Sequence, residues 1–299
     1  MSANNSLERL IIRTGVVRAP NAGYILAGDP QKESKDIGHA VILTWEDGNI
    51  RRGEAEFNAH TCCLFKEPEP GMVIMSGSGN YAVKVAAGIF TGNIFEADDE
   101  IIEEERYGDI GSVAEIGKYA YAVGLEGTVY RLDEVTRWTR LDHGLPSTFD
   151  IEAIDGFDMN DIYAVGSGGE MWHYNGTLWM KRELPTNASL HSVRCAGDGI
   201  VYAAGEHGII VQGRTDTWSV VEHEDTTDEI WDLEWFSERI YACTMFQVFT
   251  LDGDHLAPIS FEIDPPSTCY HLSTVPGVMW SIGEKDVVAF DGRRWSRIV

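Results

Sequence analysis

The chain has 299 residues, with 23 basic against 48 acidic side chains and a net charge of −25. That balance argues against a nucleic-acid backbone as partner, which needs a basic footprint, and equally against an anionic membrane surface. It favours solubility and attraction to cationic proteins. The 31 glycines and 43% hydrophobic residues suit a turn-rich fold with an ample core.

The opening MSANNSLERLIIRTG lacks the basic region and long apolar stretch of a signal peptide. No run approaches the roughly 18 apolar residues of a membrane span. Five cysteines, Cys62, Cys63, Cys195, Cys243 and Cys269, form no metal-ligand spacing. They read as buried free thiols in a reducing compartment, so a cytoplasmic location is expected. If Cys62 and Cys63 lie on a strand, they point to opposite faces.

Residues 7–18, LERLIIRTGVVR, read as a strand. It either closes a ring against the last unit or forms the inner strand of the first. Gly23–Gly28 centres an apolar run. The polar loop GDPQKESKDIG (28–38) follows it where later units have only a tight turn. A second apolar run, Met72–Gly77, is preceded by the proline-punctuated turn Lys66–Gly71. Residues 96–105, EADDEIIEEE, hold seven acids in ten positions. They read as a solvated outer edge, with a contact to a cationic partner as the functional alternative.

From residue 107 a repeat is plain. Its best copy is YAVGSGGEMWHYNGTLW (163–179). A strand breaks at glycines, a second strand ends at Asn175-Gly176 (the mark of a two-residue hairpin), and Trp179 opens a third. Tyr121, Tyr163, Tyr202, Tyr241 and Trp280 start equivalent strands at spacings of 42, 39, 39 and 39. Leading strands begin near Ile151, Leu190, Ile230 and Tyr270. A period of about 40 with four strands per unit predicts a propeller blade. Seven units are expected, near 7–58, 59–103, 107–146, 147–186, 187–225, 226–264 and 265–299, in an all-β, seven-bladed β-propeller. Six blades behind an irregular N-terminal segment is the alternative. No linker interrupts the period, so 1–299 is expected to be a single domain.

In such a ring, the turn between the second and third strands shares a face with the connection to the next blade. Candidate partner-binding residues on that face are Glu126, Asp150, His191, Glu206, His207, Asp228, Trp231, Asp232, Phe246, Tyr270, His271 and Glu284. Acids supply long-range attraction and aromatics supply buried contact. In IWDLEWF (230–236), alternation pairs Trp231 with Leu233 on one face and Asp232 with Glu234 on the other. Trp231 and Trp235 are expected to pack between blades. No metal site is expected, because the histidines are scattered over different blades, and no cofactor is called for. Nucleophile elbow, P-loop and dinucleotide fingerprint are lacking. Gly124-x-x-Gly127 and its repeats are turn devices.

The units YAVGSGGEMWHYNGTLW and YAAGEHGIIVQGRTDTW resemble photosynthesis-assembly-factor and sialidase-like (BNR) propellers, over 107–299 more than over 1–106. The sialidase-type Asp-box is matched only in part, at Asn175–Trp179 and Asp291–Trp295, and the arginine triad of those enzymes cannot be placed. The chain is also similar to bacterial propellers encoded beside polymorphic secreted toxins. That resemblance implies a non-catalytic, cytoplasmic immunity protein. Its partner would be a cationic secreted toxin, a nuclease effector in the sharpest version. A scaffold for an endogenous partner is the first alternative. A glycan hydrolase or lyase using Asp150, His191, Asp232 and His271 at the channel mouth is the second.

Overall fold

The computed structural model describes residues 9–95 and 108–299. The acidic run at 96–105 lies outside these residues. Seven four-stranded antiparallel sheets follow one another along the chain, each a simple meander. They are termed blades 1 (11–55), 2 (61–93), 3 (110–140), 4 (151–182), 5 (190–220), 6 (232–258) and 7 (271–297). The expectation of an all-β seven-bladed propeller holds, including the two degenerate N-terminal units.

The first strand of every blade is innermost. Strands Ile11–Ala19, Thr61–Phe65, Ile110–Ile116, Ile151–Asp158, Leu190–Cys195, Asp232–Phe236 and His271–Val275 all contribute to the wall of the axial channel. Ile11–Ala19 is therefore the inner strand of blade 1, and the last blade supplies all four of its own strands. Closure is made side by side. Ile12 N–H donates to Glu284 O at 2.8 Å, Lys285 Nζ to Leu10 O at 2.7 Å, and Val17 N–H to Ser273 Oγ at 3.0 Å.

The recurring aromatics explain why blades adhere. A second-strand tyrosine is buried against the next blade. Tyr121 shares a core cluster with Trp179 of blade 4, and Tyr163 meets Trp218 of blade 5 edge-on at 6.0 Å. Each outer-strand tryptophan thus covers its neighbour's apolar side, and Trp179 Nε1 also donates to Leu141 O at 2.7 Å. At the closure Trp280 is fully buried, packs edge-on to Trp45 at 5.6 Å, and leaves no room beside Gly23. Burial of such rings is the main favourable term.

Two local readings change, and the reading of the cysteines holds. Asn175-Gly176 is part of a four-residue loop (175–178), not a two-residue hairpin. Asn175 Oδ1 accepts from Thr177 N–H and Leu178 N–H, which caps the wider turn. Asp291 does the same for Arg293 and Arg294. The 28–38 stretch is not wholly loop, since Pro30–Glu33 forms one helical turn capped by Asp29. Cys62 and Cys63 do face opposite ways, into different core clusters, and all five cysteines are free.

Candidate functional site

Because each blade is a meander, its second-to-third turn and its exit to the next blade lie on one face, here called the front. The remaining two turns lie on the back. Main-chain bonds tie the front turns to the exits: Gly127 N–H to Phe149 O at 2.6 Å, Ile230 N–H to Gly205 O at 3.0 Å, and Cys269 N–H to Met245 O at 2.7 Å. In blades 3 to 5 these turns are short 3-10 segments with a left-handed residue at Glu126, Gly168 and His207. The following Gly127, Gly169 and Gly208 are left-handed too, with φ of 67–73°, a conformation glycine adopts without steric cost.

The predicted residues fall into two groups. His191, Trp231, Asp232 and His271 line the channel, a cavity of about 590 Å³. Tyr270 joins them through Trp231, edge to face at 6.1 Å. Glu126, Asp150, Glu206, His207, Asp228, Phe246 and Glu284 lie in the front turns and exits. Asp150 does not line the channel. Its Oδ1 accepts from Glu126 N–H at 3.2 Å. Of the four residues of the hydrolase or lyase alternative, His191, Asp232 and His271 line the channel and Asp150 stands apart.

Trp231 departs from its expected place. The ladder of blade 6 begins at Asp232, so strict alternation does not extend back to 231. Ile230 and Leu233 are buried in the inter-blade core, whereas Trp231 is half-buried at the channel mouth. There it stacks on the His191 ring at 5.0 Å. His191 Nδ1 donates to Glu152 Oε2 at 2.5 Å, and that bond holds the imidazole's pKa above its ordinary value. Burial instead pushes His271 down.

Deeper in the channel lies a polar constellation that sequence reading missed. Arg194 reaches Asp155 at 3.3 Å and Glu234 at 2.8 Å, and Thr274 Oγ1 donates to Glu234 Oε2 at 3.0 Å. Burial raises both carboxyls, Glu234 to about 7, against the opposing pull of Arg194. Asp155 also belongs to a repeated device. The Asp155 carboxylate accepts Cys195 N–H, Ser192 Oγ accepts Leu233 N–H, and Asp232 accepts Leu272 N–H. Thr61 does the same for Val113, and Ser273 for Val17. The signal was available in blades 4 to 7 as the inner-strand polar residues Asp155, Ser192, Asp232 and Ser273, spaced 37, 40 and 41 apart.

The faces differ in charge and apolar exposure. In blades 5 to 7 the front connections (206–209, 221–231, 244–247, 259–270 and 283–286) carry ten carboxylates and one lysine. The back connections of the same blades carry five carboxylates and two arginines. Phe246 is 65% exposed at the front and Met245 37%. Among the described residues no His, Cys, Asp or Glu cluster has metal-binding geometry.

No family model matches the sequence. The chain is 33% identical over 296 residues to the immune protein Tsi7 of Pseudomonas aeruginosa, covering 95% of this chain and 96% of that one. It belongs to the Tsi7 immune-protein family. Among solved structures, the WD40 propeller domain of Doa1 superposes with a TM-score of 0.69 at 10% identity, over 97% of this chain and 93% of that one. YCF48 bound to a D1 peptide gives 0.67 at 13% identity, over 94% and 91%. At those identities the likeness speaks for the propeller fold alone, and Tsi7 kinship carries the family.

Proposed function

We propose that this protein is an immunity protein that neutralises a secreted toxin by binding it, without chemistry of its own. The observation that carries the reading is kinship to an immune protein along nearly the whole chain. A binding role also suits the channel. Both oxygens of Asp232 are occupied by Ser192 Oγ, Leu233 N–H and Leu272 N–H, so this carboxylate is committed to holding blades together.

The finer reading is a basic toxin, a nuclease effector, met in the cytoplasm. Support comes from the net charge of −25 and the carboxylate-rich front connections. A strongly acidic partner accelerates encounter with a basic surface, and desolvated aromatics slow release. The test is expression of a candidate toxin gene from the same locus, with and without this protein. Restored growth, with intact chromosomal DNA, is expected. Equal toxicity in both strains sinks the reading, and rescue from a toxin that leaves DNA intact sinks the nuclease part alone.

A further inference from the structure

We infer that the toxin docks on the front of blades 5 to 7, with Phe246 as the anchor. Its complementary surface is an apolar pocket rimmed by lysine or arginine. This rests on the toxin-binding reading above and deepens it.

The blade 6 turn departs from its siblings. Blades 3, 4 and 5 place Glu126, Gly168 and His207 at the turn, whereas blade 6 places Met245-Phe246 there. The turn itself does not need them. Thr244 N–H donates to Gln247 O at 2.9 Å and Thr244 Oγ1 accepts from Gln247 N–H at 3.3 Å, so the turn is closed without the Met245 and Phe246 side chains. A phenyl ring left 65% exposed forgoes most of the transfer free energy that burial supplies.

The ring is presented on a fixed support. Gln247 Nε2 donates to Val248 O at 2.7 Å and to Ile259 O at 2.8 Å, and Met245 O accepts from Cys269 N–H. A preorganised aromatic of this kind loses little freedom on binding, which is the usual character of an interface hot spot.

The surroundings specify the partner's charge. Glu222, Glu224, Asp228, Glu229, Glu262 and Glu284 are all exposed on the connections flanking this turn. The one lysine there, Lys285, has its Nζ bonded to Leu10 O. A second copy of this chain is a poor occupant, because it would set one acidic rim against another. An apolar pocket with a cationic rim is complementary in both respects.

The experiment uses the full chain and the purified toxin that the growth test identifies, with binding followed by surface plasmon resonance. Phe246→Ala is expected to raise Kd by about 10- to 100-fold, mainly through faster release. Asp228→Lys with Glu229→Lys is expected to slow association and flatten its salt dependence. Leu178→Ala, on the back, is expected to bind as the parent does. If the parent binds and both front-face variants bind equally well, the surface assignment is overturned and the toxin reading stands. If the parent binds no toxin, the toxin reading falls and takes the surface with it.

Discussion

Asp232 of blade 6 accepts the main-chain N–H of Leu272 in blade 7 at 2.9 Å, across the gap between two sheets. The same carboxylate takes the Ser192 hydroxyl of blade 5, also at 2.9 Å. One side chain thus links three consecutive blades along the channel wall. Every second N–H of an inner strand points away from its own sheet, and leaving one buried and unpaired is costly. The fold meets this need with a side chain from the preceding blade.

Replacing Asp232 by alanine is expected to destabilise the protein by about 1–3 kcal/mol, through the stranded N–H of Leu272 and hydroxyl of Ser192. Urea unfolding would show a lower midpoint. An unchanged midpoint would mean that water replaces the carboxylate at no cost.

The Asp155–Arg194–Glu234 cluster makes a pH-dependent prediction. Burial raises Glu234 from 4.5 to about 7, so the folded protein holds that proton more tightly than the unfolded chain does. This contribution to stability therefore grows as pH falls through that window and is lost as pH rises through about 7. Asp155 is raised in the same direction. The parent should gain about 1–2 kcal/mol more than Glu234→Gln on going from pH ~7.5 to ~5.5. Comparing the two proteins cancels the contribution of the overall acidic charge. Parallel pH profiles would contradict the assignment.

Arg194→Met removes the cation and leaves two buried carboxylates facing one another. A loss of about 3–5 kcal/mol is expected at neutral pH, shrinking in acid as the carboxyls protonate. Denaturation at the two pH values checks it, and a pH-independent loss would point to packing rather than charge.

Much of this architecture was legible because its two commonest markers carry structural roles. Tyr121 and Tyr163 recur because each fills a blade junction, and Trp179 and Trp218 recur because each covers one. The glycines at 127, 169 and 208 recur because the front turn there is left-handed. The site was less legible. Trp231 stands one residue before its ladder, where period-two reasoning ends, so it turns to the channel mouth instead of the core. Arg194, Asp155 and Glu234 lie on three different blades, and their pairing depends on how blades are staggered around the axis, which no local pattern encodes. Phe246 was among the candidate contact residues, and it is 65% exposed on the front face.

The ring closes through packing, and Trp280 is the test. Trp280→Ala would open a void between blades 7 and 1 and cost about 3–5 kcal/mol. Gly23→Val should be comparably harmful, because a Cβ there would sit 2.4 Å from the Trp280 ring and 2.7 Å from Val16 O. Thermal melts of both variants would show it. A Trp280→Ala melt like the parent's would mean that closure relies on the hydrogen bonds of Ile12 and Lys285 instead.

Neutralisation by binding is most directly read from stoichiometry. Purified toxin, assayed for its own activity, is titrated with this protein at concentrations well above the dissociation constant. Activity should fall in proportion to added protein and vanish near one molar equivalent. Full activity at large excess would contradict the account, and silencing by a small fraction of an equivalent would show a catalyst in place of a binder.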